Sequence, residues 1–165
     1  MDPVQAPSIY CSLITLKLNH RLFLNALEGV SEDQAKQRIS EHSNPFIWIA
    51  GHTVWASYNI LNFLGRATEN PYKGKFESSK PYNASDVYPS LESIKAEWKK
   101  VGSLIKVALH EVTEEHLAAE SAFKSPIGDF TNGGSVAFLV QHESYEIGQM
   151  AFLKKYLTKE AMKYQ

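Results

Sequence analysis

Residues 135–157 read SVAFLVQHESYEIGQMAFLKKYL. Stepped by three and four, one stripe runs Leu139, His142, Glu146, Gln149 or Met150, Leu153, and Tyr156 or Leu157. That spacing is the period of an α-helix with one face turned to a core. Two titratable groups interrupt the stripe. His142 and Glu146 are four residues apart, so they lie one turn above the other on the same face. A carboxylate on such a face is costly unless a cation, a donor or a metal meets it. Glu143 falls about 100° round the helix from His142 and is expected on the surface or just behind His142.

Working outward, residues 43–65 carry no Asp, Glu, Lys or Arg over 23 positions. That length alone would suit a membrane span. Asn44, His52, Thr53, Ser57, Asn59 and Asn62 are too polar a set for lipid. The stretch is expected to be a helix buried in protein, with Asn44 as N-cap, Pro45 at the first helical position and Gly65 as its stop. His52 lies at its middle. A preceding helix is expected over 9–27, with Leu13, Leu16, Phe23 and Leu27 at helical spacing, His20 on the same stripe and Gly29 ending it. Residues 1–7, with two prolines, read as a loose arm. Ser31 and Gln34 fit a capping box for a short turn. A third long helix follows Pro89 to about His110 on the stripe Leu91, Ile94, Trp98, Val101 and Ile105, and Thr113 caps another short turn. Residues 119–134 are expected to be irregular.

The expected fold is therefore all-α: a four-helix bundle occupying residues 1–165 as one domain. The connection from Gly65 to Tyr88 is 24 residues long, whereas an antiparallel hairpin needs only about 2–8. Such a linker can return along the bundle as a long crossover and leave the second and third helices parallel.

Composition excludes several classes. The chain has 165 residues, is 44% hydrophobic and 21% charged, and carries a net charge of −1. It can bury roughly 70% of its unfolded surface, and it lacks the basic excess of a dedicated nucleic-acid binder. Cys11 is its single cysteine, which excludes an internal disulfide, allows a reducing compartment, and reads as an inert small hydrophobe. The stretch MDPVQAPSIY is no secretory signal. The expectation is a cytoplasmic protein with neither a nucleic-acid nor a membrane partner.

Two readings of the histidines stand side by side. A single His on an apolar stripe is ordinarily a satisfied core residue, and an i, i+4 His–Glu pair is ordinarily a local ion pair. Three such groups, His52, His142 and Glu146, on stripes that should be apolar raise the alternative, convergence on an internal metal site. His20 reads as a fourth ligand or as core packing. Tyr58, Asn59, Tyr145 and Gln149 are candidates for lining a pocket. Trp48, Trp55 and Trp98 read as packing, and His42, His110 and His116 as solvated helix-end residues.

The stretches LNALEGVSEDQAKQRIS, NPFIWIAGHTVWASYNILNFLG, YPSLESIKAEWKKV, LHEVTEEHL and QHESYEIGQM together resemble the DinB/YfiT-like family of four-helix-bundle metalloenzymes. The last resembles the family's helix-four pattern H-E-x-x-H-x-G-Q. The resemblance implies a divalent metal (Zn, Ni, Fe or Mn) held by His52 and His142, in a metal-dependent hydrolase or an enzyme using a low-molecular-weight thiol. It also implies an unknown small-molecule substrate, and a homodimer as in many such bundles. Here Glu146 stands where the family has its third histidine. Either Glu146 ligates, completing a two-His, one-carboxylate set, or the site is degenerate and the bundle is a metal-free binding protein.

Overall fold

The structure, a computed structural model, describes residues 5–164. Among them there is no strand, only an isolated bridge between Glu120 and Thr131. The helices are α1 (Tyr10–Leu27), α2 (Glu32–Lys36), α3 (Phe46–Phe63), α4 (Leu91–Glu111), α5 (Glu114–Ala118) and α6 (Asn132–Thr158). The four long ones form the bundle, and none is long and apolar enough to cross a membrane.

Their ends follow from local chemistry. Ser31 and Gln34 make both bonds of the capping box that starts α2. Gly65 adopts φ +77, and the Gly65 and Arg66 amides donate to the Asn62 and Leu61 carbonyls at 3.2 and 2.8 Å. This is a Schellman stop, which a side chain at position 65 would strain.

Three boundaries differ from the sequence expectation. Pro45 keeps an extended ψ of 160 and serves as the N-cap of α3, so Asn44 does not. The Thr131 side chain caps α6 by accepting from the Gly134 amide, which draws the Gly133–Gly134 pair into the first turn. A Cβ on Gly134 would lie 2.5 Å from Asp129 Cγ, and the glycine leaves room for that carboxylate. Of the expected arm, residues 1–4 lie outside the described residues. Residues 7–9 form a 3-10 turn, and the Ser8 amide and hydroxyl donate to Glu114.

Helix directions can be read from paired contacts. Tyr58 bonds Glu97, and Arg66 pairs with Glu111, so α3 and α4 run parallel. Asn19 bonds the Val140 carbonyl and Lys154 bonds the Asn25 carbonyl, so α1 and α6 are parallel too. His52 meets His142, and Ser57 meets Glu143; with Phe63 reaching Phe138 through Phe123, α3 and α6 are antiparallel. Around the ring the order is α1, α6, α3, α4. The long crossover anticipated from the linker is present, joining α3 to α4. It also does more than connect, because Tyr72 and Phe76 from it are buried in the core.

Candidate metal centre

His52 sits mid-way along α3, a helix buried on nearly every face because α6, α4 and the crossover surround it. Its ring stacks on Trp48 and Trp55, one turn either side, at centroid distances of 4.9 and 5.3 Å. Its Nδ1 lies 2.5 Å from the Phe76 carbonyl. A carbonyl only accepts, so Nδ1 carries the proton and Nε2 presents a lone pair. That lone pair faces His142 Nε2 at 3.0 Å. Orientation of a ligand imidazole by a backbone carbonyl on its far nitrogen is a recurrent feature of metal sites.

The Phe76 carbonyl reaches His52 because residue 51 is glycine. A Cβ there would lie 2.2 Å from the Phe76 ring. Gly51 therefore forms the notch that seats the crossover aromatic, and the seated residue sets the tautomer of the next side chain along α3.

His142 presents its ring edge-on to His52 at 5.1 Å and stacks on Phe138. Glu146 Oε1 lies 3.9 Å from His142 Nδ1, too far for a hydrogen bond. Glu146 Oε2 accepts from Gln149 Nε2 at 2.7 Å. One ligand atom each from His52, His142 and Glu146 lies within 4.8 Å of the others. Burial keeps His52 below the usual histidine range, with the Phe76 bond opposing it. Burial, then the His52 ring, takes His142 down to about 4. Burial raises Glu146 to about 7. Both imidazoles are thus neutral and able to ligate at neutral pH, and among the described residues no lysine or arginine pairs with Glu146. The donor set suits a borderline divalent ion. The side chains of His142 and Glu146 are 23% and 9% exposed, so solvent approaches along the His142 edge. A groove lined by Ile49, Tyr145, Gly148 and Gln149 runs nearby.

Glu143 is not on the surface. It is 1% exposed, with its Oε1 2.5 Å from Ser57 Oγ and its Oε2 3.4 Å from Asn19 Nδ2. Ser57 Oγ also donates to the Thr53 carbonyl at 2.9 Å. A hydroxyl has one proton, so Ser57 donates either to the Thr53 carbonyl or to the Glu143 carboxylate, and in the protonated state the carboxyl's own proton can close the short contact. Burial raises Glu143 to about 7, against the pull of Ser57 and Asn19. The misplacement has a geometric cause. Helix α6 packs on both α1 and α3, so its buried arc is wide and runs through Val136, Val140, Glu143, Ile147 and Met150. His142 lies at the edge of that arc, and of the two residues offered for the end of the stripe, Tyr156 is 52% exposed while Leu157 packs partly against the core. Ser57 and Thr53, polar groups in a charge-free helix, were the sequence signal for a buried partner.

His20 stacks on Trp98 at 5.6 Å and stays away from the triad. His116 is not free in solvent: its Nε2 lies 3.0 Å from the Phe63 carbonyl. His42 is exposed beside Glu41, and Cys11 is exposed.

Fold and triad define a helical bundle with an internal His–His–Glu cluster able to hold a metal ion. The DinB superfamily model matches residues 15–150, and the chain belongs to that superfamily. A solved structure, described as the conserved protein of locus from Enterococcus faecalis, is similar in fold. Its TM-score is 0.70 at 15% identity, with 92% of this chain and 98% of that chain covered. No curated protein matches the chain.

Proposed function

We propose that the chain is a metal-dependent enzyme of the DinB type, with a divalent ion (Zn, Ni, Fe or Mn) held by His52, His142 and Glu146. The observation that carries this reading is the His52 Nε2 lone pair, presented by the Phe76 carbonyl's hold on Nδ1 and aimed at half-buried His142 and buried Glu146. A bound ion supplies Lewis acidity at such a site, activating a coordinated water or thiol. The chain's own residues do the rest. Phe76 holds the His52 proton at Nδ1, Gln149 orients the Glu146 carboxylate, and Trp48 and Trp55 shield the His52 ring by stacking on it. The buried Trp48 Nε1–H has no partner among the described residues and is a donor available to a bound group. The open edge at His142 suits a small-molecule substrate, acted on by hydrolysis or by transfer involving a low-molecular-weight thiol. The single cysteine, which is unpaired, fits a reducing, cytoplasmic setting.

The test is addition of Zn, Ni, Mn or Fe(II) to chelator-stripped protein. One of them should raise the Tm by about 5 °C or more with 1:1 stoichiometry, a scale that follows from roughly 2–4 °C per kcal/mol for a chain of this size. The rise should vanish in His52→Ala and His142→Ala and shrink in Glu146→Gln. Failure of every ion to shift the melt would defeat the proposal.

A second reading is favoured by one feature. The 3.0 Å His52–His142 contact and the 2.7 Å Gln149–Glu146 bond engage both Nε2 atoms and Glu146 Oε2 without any ion. On that reading the bundle is a metal-free binding protein, and Glu146→His would create an affinity that the natural chain lacks.

A further inference from the structure

The triad occupies the α3–α6 seam. On the opposite side of the bundle, the α1–α4 seam holds a cavity of about 220 Å³. Its walls are Leu13 and Leu16 from α1 and Val101, Ile105 and Leu109 from α4, with Trp98 at one end. The Trp98 indole is fixed by donating to the His20 carbonyl at 3.1 Å. The His20 ring lies against Gly102, where a Cβ would come within 2.5 Å of it, so the glycine seats His20 to one side of the opening. Ser57 and Glu143 reach the inner end of the cavity, and Lys17, Lys106 and His110 reach its lining from the outer side. The two lysines are exposed and His110 half-buried, which places them at the mouth.

The arrangement is amphipathic along its depth. Apolar walls form the middle. The one acid in the lining, Glu143, is at the inner end and already bonded to Ser57 and Asn19. At the mouth are two lysines that make no ion pair or hydrogen bond with another described residue. A dry cavity of about 150 Å³ suffices for benzene, so this one admits a body of roughly nine heavy atoms. An unfilled apolar void of this size weakens a bundle, and a ligand that filled it would remove that cost.

We infer that the α1–α4 cavity is a second ligand site, independent of the triad, for a small monocarboxylate with an aliphatic or aryl body. The body lies among Leu13, Leu16, Val101 and Ile105, and the carboxylate sits at the mouth between Lys17 and Lys106. Nothing in this site requires the metal reading to hold.

Octanoate is the probe, with octylamine as its charge-reversed counterpart, titrated calorimetrically into the chelator-treated full chain. Octanoate should bind 1:1 and about tenfold or more tighter than octylamine. The exposed double change Lys17→Glu/Lys106→Glu, which touches no core residue, should reverse that order. Ile105→Trp, filling the cavity, should weaken octanoate by about tenfold. The double variant His52→Ala/His142→Ala should bind octanoate as the natural chain does. Three results would each overturn the inference: no octanoate binding, binding indifferent to both the charge swap and Ile105→Trp, or binding lost in the His52→Ala/His142→Ala protein.

Discussion

Gly51→Ala should lower stability by about 2 kcal/mol, although alanine favours a helix interior by roughly 1 kcal/mol over glycine. The added methyl would overlap the Phe76 ring at 2.2 and 2.3 Å, and that ring is fully buried, so something in a packed core must shift. Phe76→Ala alone should cost about 3–5 kcal/mol, or roughly 10 °C of Tm in a chain of this size. The informative measurement is the double variant. Once the ring is gone the notch is empty, and Gly51→Ala should become neutral or stabilising, a coupling of about 2 kcal/mol or more. Additive costs would show that the notch and ring do not form a unit. Both single variants should also weaken the proposed metal binding, by about 10- to 100-fold, because the Phe76 carbonyl that orients His52 moves with its ring.

Glu143→Gln should stabilise the protein above neutral pH and make little difference near pH 4. The sign follows from the direction of the shift. An ordinary glutamate releases its proton near 4.5, whereas in the fold Glu143 holds it to about 7. Below 4.5 both folded and unfolded chains are protonated and no penalty exists. Between 4.5 and 7 the unfolded chain ionises and the folded chain does not, so stability falls as pH rises. A rise of about 2.5 pH units corresponds to on the order of 3 kcal/mol by pH 8. Glutamine removes the ionisation and keeps the bonding, since its amide can donate to Ser57 while its carbonyl accepts from Asn19. Urea unfolding of both proteins in chelator at pH 4.5 and pH 8 reads the difference directly. A gap between them that does not widen with pH would contradict the account.

The helices were legible in the sequence because their punctuation is local. Ser31, Gly65, Thr113 and the charge-free run from Ser43 each act within a few residues, and the linker length already allowed parallel α3 and α4. The triad residues were legible too, since a His or Glu on an apolar stripe is conspicuous; that they converge within 4.8 Å required the fold. What was hidden is non-local. Phe76 lies in an aperiodic stretch, so no pattern marks it as core, and the importance of Gly51 appears only once the crossover lies against it. Glu143 was hidden because a helix buried on two sides has no single inward stripe from which to measure an angle. Its partners, Asn19 and Ser57, lie 124 and 86 residues away.

The seating of Phe76 divides the α3–α4 connection into two halves with unequal freedom to evolve. Around Asp86–Val87, where Val87 is 91% exposed, an inserted peptide of several residues should leave the melting profile unchanged within about 2 °C. The same peptide placed between Tyr72 and Phe76 should lower it sharply. Lengthening or decorating this segment is therefore open to the lineage only beyond the wedge, and a shortcut that joined α3 to α4 directly would strip the imidazole of its anchor.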